Sequence, residues 1–279
     1  MYDARFWASA WREARSASSL GRGYANRNGW KDFWNLVAPR YARRNRETQH
    51  IVDEVVRLLA GNGVVGRQSE VLDIGCGPGT YTLPLAGLAA RVVGLDTADK
   101  MLDVLKQEAA HYGVAASVDV VAADWDDYPA QPAYDVVFAA QTPAIRDYDS
   151  LMKMNLVARR YCCLVSSAGS YKSSLRNVLW EAVTGSPLTG RAFDIQFPFN
   201  ILYQEGYLPN LRFFAHACTL REPLDYVVEH YICYFKIFGY AGVDVEDKIR
   251  HLLEQKAGGN YCEDQVEATT AVMWWSVDK

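Results

Sequence analysis

Val71-Leu72-Asp73-Ile74-Gly75-Cys76-Gly77-Pro78-Gly79-Thr80 is the stretch that decides the fold. A short apolar run stops at three glycines spaced two apart. A run of this length, closed by turn residues, reads as a buried strand. The glycines permit positive φ, and they leave no Cβ to hold a ligand away from the backbone. A glycine-rich turn after the first strand of an α/β sheet marks a nucleotide-type pocket at the strands' carboxyl ends. Two phosphate-binding patterns fail on spacing. A Walker loop needs a lysine after its last glycine, and none follows here. A G-x-G-x-x-G fingerprint counted from Gly75 needs its third glycine where Thr80 stands.

Working outward, similar apolar runs recur at 91–96, 117–122, 134–140 and 161–166, and helical stretches fall between them at 81–89, 99–111 and 150–159. Short buried strands alternating with helices predict a doubly wound α/β domain with a parallel sheet. Upstream, a helix and loop are expected over 1–24, and a second helix from about Lys31. Pro39 is read as a break before a third helix over 45–60, which Gly61-Asn62-Gly63 ends. Downstream, 200–206 looks helical and 211–220 extended. Helices are expected at 222–239 and 244–256, then a final strand over 266–277 with Trp274 and Trp275 on opposite faces.

Composition bounds the rest. The chain has 279 residues, of which 50% are hydrophobic and 22% charged. Those are values of a globular protein with one large domain or a domain with an added lobe. The net charge of −4 is not that of a free-standing duplex binder. Residues 1–50 carry a net +6, read first as a solvated face whose arginines pair with the acidic body. The most apolar long window, 226–243, is broken by Glu229, His230 and Lys236, so no membrane span is expected. The start, Met1-Tyr2-Asp3-Ala4-Arg5, lacks a signal-peptide layout. Six cysteines without a C-x-x-C pair suggest reduced thiols and a cytoplasmic setting, and the five scattered histidines suggest no metal site.

The spacing Asp-x-Gly-x-Gly-x-Gly (73, 75, 77, 79) resembles motif I of the class I S-adenosylmethionine-dependent methyltransferases. The resemblance continues at Asp96, seventeen residues after Gly79, at Ala123-Asp124-Trp125, and at the motif IV-like run 134–140. It covers residues 30–170 well and the C-terminal third loosely. It implies a Rossmann-like, seven-stranded sheet with the last strand antiparallel. It also implies an N-terminal helical lid over 1–60 and a methyltransferase domain over 61–279, with a helical insertion near 222–256. By resemblance Asp73, Gly75, Cys76, Gly77 and Thr80 form the cofactor loop, and Asp96 receives both ribose hydroxyls, a task that suits a carboxylate. Thr97 and Met101 then pack the adenosine, and Asp124 and Trp125 lie beside the adenine. Ala140 ends motif IV against the cofactor. Phe33-Trp34-Asn35-Leu36-Val37-Ala38-Pro39-Arg40-Tyr41 resembles the W-x-x-x-A-x-x-Y segment of small-molecule methyltransferases. That places Tyr41 at the mouth of the site, on the cofactor, with Trp34 behind it.

Gln141 and Thr142 follow motif IV, where the family faces its acceptor. Only Pro143 comes next, with no second proline and no aromatic, which disfavours the amino-directed DNA and glutamine enzymes. The expected function is therefore methyl transfer from S-adenosylmethionine to a small molecule, leaving S-adenosylhomocysteine. Methyl transfer from a sulfonium is in-line and needs no metal, and it needs a base only if the nucleophile starts protonated. No base is evident; Tyr41 and Gln141 are the candidates for a catalytic role. One alternative is an RNA or protein methyltransferase docking through the basic segment, with Arg43, Arg44 and Arg46 as its contacts. Another is a non-catalytic module that keeps the adenosyl pocket. The many aromatics suit either a cage for a flat acceptor or ordinary packing. Trp274 and Trp275 are candidates for a homodimer face, and Cys162 and Cys163 for the core.

Overall fold

In a computed structural model, residues 2–44, 48–169, 171–190 and 192–278 are described, apart from the side chains of 22 and 42–44. Ten helices and eight strands follow among these residues. They are α1 (Ala4–Ala17), α2 (Arg27–Arg44), α3 (Gln49–Gly61), β1 (Glu70–Ile74), α4 (Thr82–Ala86), β2 (Arg91–Asp96), α5 (Asp99–His111), β3 (Val118–Ala122) and β4 (Tyr134–Ala140). After them come α6 (Tyr148–Val157), β5 (Ala158–Ser167), β6 (Lys172–Ser173), α7 (Ser174–Thr184), α8 (Gln196–Gln204), β7 (Asn210–Pro223), α9 (Leu224–Ile237), α10 (Val243–Lys256) and β8 (Tyr261–Ser276).

The sheet order is β3-β2-β1-β4-β5-β8-β6, with β7 also paired to β8. Strands β1 to β5 are parallel, and β8 runs antiparallel to β5 and β7. The chain winds outward from β1 to β3, then returns to place β4 on the other side of β1. That reversal opens a crevice beyond the carboxyl ends of β1 and β4. The seven expected strands are present, and the two-residue β6 adds an eighth.

Burial explains the register. Along β5, Cys162 and Leu164 point into one core layer while Cys163 and Val165 point into the other. Along β8, Met273 and Trp275 enter the first layer, Val272 and Trp274 the second. The two tryptophans do lie on opposite faces, but they are 9% and 0% exposed, so they supply no homodimer surface. Central strands bury both faces, and a large indole is best accommodated in those layers. Trp275 Nε1 donates to Asn155 Oδ1 at 2.7 Å.

Helices α1 and α3 pack on the two sheet faces. Trp11 of α1 stacks on Phe197 of α8 and donates to the Ala192 carbonyl at 2.7 Å. Ile51, Val52, Val55, Val56 and Leu59 of α3 join the layer beneath β1 and β4. Within 1–60, then, it is α2 that lies over the strand ends. It runs unbroken through Pro39, contrary to expectation. A proline removes one helical hydrogen bond, and the burial of Phe33, Val37 and Ala38 against α5 and α9 outweighs that loss. Of the helix expected over 45–60, residues 45–47 lie outside the described residues.

The outer half of β8 is the other departure. Thr270 pairs with Ser167, the last residue of β5, so residues 261–269 run past the parallel strands. Among the described residues only β7 and β6 follow them there. This ribbon overhangs the crevice and carries α9 and α10 as its connection. Helices α2, α7, α9 and α10 bury a core of their own around Phe33, Trp180, Phe235 and Leu253. Together they roof the carboxyl ends of the sheet.

Candidate active site

A cleft of about 1160 Å³ lies between the strand ends and this roof. All fifteen residues singled out from the sequence line it, from Trp34 and Tyr41 in α2 to Gln141 and Thr142 after β4. Its floor is the glycine loop. Gly75, Gly77 and Gly79 have φ of 66°, 54° and 93°. A Cβ on Gly75 would sit 2.2 Å from Thr142 Oγ1, and one on Gly79 would sit 2.4 Å from Leu105. A Cβ on Gly77 would meet no protein atom within 4 Å and would occupy the open cleft instead. So two glycines serve packing, and the middle one leaves room above the backbone.

Asp96 ties the loop to β2. Its Oδ2 accepts from Gly77 N at 2.9 Å and its Oδ1 from Ala98 N at 2.8 Å. Burial raises its pKa, against the hydrogen bonds from those amides. Each carboxylate oxygen keeps a second acceptor position. Thr97 beside it is exposed, while Met101 is buried in the roof core. Asp73 is only 2% exposed and accepts from Thr82 Oγ1 at 2.6 Å. Burial pushes its carboxyl up to about 7, with a further push from Asp96 and a pull down from Thr82. Its carboxylate is committed to the start of α4. Cys76 is buried, its thiol raised well above the ordinary value by burial.

Two of these lining residues also bond within the protein. Asp124 pairs with Arg27 of α2 at 3.0 Å, and Arg27 and Arg146 both bond Asp126 at 2.5 Å. Burial pulls the Asp126 carboxyl up, but the two arginines outweigh it and hold it below the usual range. The Trp125 indole is 2% exposed, donates to the Ser150 carbonyl at 3.1 Å and stacks on Tyr128. Its ring packs in the β4–α6 layer while the residue borders the cleft.

At the acceptor side, Trp34 meets Tyr41 edge-on at 5.5 Å and stacks on Trp30. Thr142 Oγ1 accepts from Ala144 N, so its hydroxyl caps the turn after β4. Gln141 has φ of 50°, the one positive value at a non-glycine among the described residues. It follows Ala140, and its N–H donates to the Val165 carbonyl at 2.9 Å. Backbone strain of this kind is held in place where a site needs it.

Sequence reasoning missed the far wall. Arg176 and Asn177 of α7 line the cleft, as do His216, Cys218 and Leu220 on one face of β7. The signals for α7 are there in the sequence, since Ser173 caps it and Leu175 and Leu179 mark a helical face. The extended ribbon carries its cleft residues at every second position, a signal that alternation alone cannot assign to a ligand.

Residues 71–159 match the methyltransferase domain family. An uncharacterised protein of Haemophilus influenzae is 29% identical over 219 residues, 75% of this chain and 76% of that one. A ubiquinone biosynthesis O-methyltransferase of Shewanella halifaxensis is 40% identical over 81 residues, 28% of this chain and 32% of its own length. A solved Bacillus halodurans protein, a candidate methyltransferase, shares the fold with TM-score 0.51 at 14% identity, over 82% of this chain and 99% of its own. The domain match over 71–159, the glycine loop and the strand order agree with the fold of class I S-adenosylmethionine-dependent methyltransferases.

Proposed function

We propose that the protein transfers a methyl group from S-adenosylmethionine to a small-molecule acceptor held under the roof. One observation carries this: the glycine loop and the α7–β7–α9 wall border a single cleft of about 1160 Å³. Single-ligand pockets run to roughly 300–1,000 Å³, so this one suits a cofactor and a small acceptor together. The Shewanella relative's name, ubiquinone biosynthesis O-methyltransferase, agrees with a small acceptor.

The residues fit the cofactor. The open face of Gly77 admits a ligand to the loop backbone, and Asp96 offers its remaining acceptor positions to ribose hydroxyls. Asp73 we assign to holding the loop through Thr82. Tyr41 closes the mouth, and Gln141 presents its side chain to the acceptor. S-adenosylmethionine supplies a methyl group already activated on a sulfonium. The chain's own work is therefore to align the acceptor and exclude water. We place the lid in α2 together with the ribbon and its helices, rather than in the whole of 1–60.

Macromolecular docking through the basic segment has less support. Arg27, Lys31 and Arg40 pair with Asp124, Asp99 and Glu222 of the body. Arg46 lies outside the described residues, as do the side chains of Arg43 and Arg44. The six cysteines are free thiols, in keeping with a cytoplasmic setting, and among the described residues no helix is long and apolar enough to cross a membrane.

The test is transfer of label from methyl-labelled S-adenosylmethionine in parallel to pools of small phenols, acids and amines, to total RNA and to total protein. Label in the small molecules with matching S-adenosylhomocysteine is expected. Label in RNA or protein would overturn the acceptor class, and cofactor binding without any transfer would point to a non-catalytic module.

A further inference from the structure

The cations lining the cleft differ in their partners. Arg27, Lys31 and Arg146 bond Asp124, Asp99 and Asp126, and Arg15 lies 3.9 Å from Asp147, whereas the guanidinium of Arg176 stands on the far wall without an acid among the described residues. Arg176 sits in the first turn of α7, three residues after its capping Ser173. A cation there opposes the helix dipole, which favours negative charge at that end. Nor does a neighbour neutralise it. Among the described residues no carboxylate pairs with Arg176, and its buried Nε meets no acceptor.

The two nearby acids on the cleft wall are committed elsewhere. Asp264 accepts from Ser173 Oγ, Ser174 Oγ and Leu175 N at 2.8–3.1 Å. Asp194 accepts from Gly169 N and Gln196 N, each at 3.1 Å. What surrounds the guanidinium is aromatic. The Tyr171 ring lies 4.4 Å from Cζ, and Tyr24 and Tyr234 also feel its charge. Burial pushes both of those phenols up to about 12, so they stay neutral and do not serve as counter-ions. Lys31, the lysine on the lining, is paired with Asp99 at 2.9 Å.

We propose that Arg176 receives a carboxylate of the acceptor, and that the acceptor is a flat, largely apolar acid seated among the tyrosines of this wall. This rests on the small-molecule reading above and narrows it. One unneutralised guanidinium matches one negative charge, and its planar fork suits two parallel bonds to a carboxylate. Tyrosine rings supply the apolar flanks of such a site.

The probes are benzoate, benzamide and inorganic phosphate, titrated by calorimetry into the full-length protein saturated with S-adenosylhomocysteine. Benzoate should bind at least about tenfold tighter than benzamide and tighter than phosphate. Arg176→Gln should abolish that preference, Arg176→Lys should keep part of it, and both should keep the wild-type melting temperature within a few degrees. Equal binding of benzoate and benzamide, absence of benzoate binding, or a preference that survives Arg176→Gln would overturn the proposal. Tighter phosphate would replace the carboxylate by a phosphorylated acceptor. Direct titration of S-adenosylhomocysteine separates the two claims. If it binds and benzoate does not, the acid site fails alone. If it does not bind, the methyltransferase reading fails whatever benzoate does.

Discussion

The loop at Gly75 to Gly79 and the wall formed by α7, α9 and the β7–β8 ribbon border the same cleft, but they are stabilised differently. The loop is held by hydrogen bonds from its own backbone to the end of β2. Gly75 N and Cys76 N both donate to the Leu95 carbonyl, and Gly77 N donates to Asp96. Its shape depends on three positive-φ glycines and two aspartates. The wall depends on long-range apolar packing between segments far apart in the chain, with Phe33 of α2 meeting Tyr234 of α9, and Trp180 of α7 meeting Phe235. The difference teaches how the two can vary. A loop fixed by backbone geometry tolerates few residues, whereas a wall fixed by packing can change its lining while its core persists.

Four substitutions sharpen that contrast. The largest effect is expected at Phe235→Ala, which empties the centre of the roof core. Stability to denaturant should fall by about 3–5 kcal/mol, while folded protein keeps its S-adenosylhomocysteine affinity. A loss of affinity as large as the loss of stability would mean the two regions are one unit. Gly77→Val comes next. It adds left-handed backbone strain of about 1–2 kcal/mol and fills the cofactor's side of the cleft. Affinity measured by calorimetry should drop by about 100-fold or more with the fold intact. Unchanged affinity would remove the loop from the binding site.

Asp73→Asn tests the buried carboxyl. Its folded pKa of about 7 lies above the ordinary unfolded value near 4. The folded state therefore binds more protons between those pH values, and stability from this group falls as pH rises from 4 to 7. Melting temperature against pH should lose that slope in the variant, which is at most about 1.4 kcal/mol for each pH unit crossed. A slope that persists would assign it to another group, with Asp96 the first candidate. The smallest effect belongs to Arg27→Ala. Its pairs with Asp124 and Asp126 are solvent-facing on the arginine side, so stability should change by less than about 1 kcal/mol. Asp126 should then titrate higher by NMR, and a fixed Asp126 would credit Arg146 alone.

The legibility of the chain follows the same division. The bounds of β1, β2, β4 and α5 match the sequence reading because their apolar runs are short, regular and closed by glycine or acid. The glycine loop, Asp96 and the turn after β4 could be located because local backbone chemistry dictates their residue types. The packing of the Trp125 indole was not legible, because an indole beside a strand-end acid can turn to either side, and the Ser150 carbonyl decides it. Pro39 was misread because a local penalty was weighed without the packing that offsets it. Helix α7 and the overhang of β8 were not legible. Their positions depend on pairings between residues about 90 apart, such as Ser173 with Asp264. Arg176 carries no local motif, and its surroundings exist only once α7, α9 and α1's following turn come together.

The assignment as a class I methyltransferase is tested most directly by calorimetric titration with S-adenosylmethionine and S-adenosylhomocysteine, with NAD as the control ligand and Asp96→Ala alongside. Saturable binding of both adenosyl ligands, no heat with NAD, and loss of binding in Asp96→Ala are expected. Binding of NAD in preference, or adenosyl binding untouched by Asp96→Ala, would contradict it.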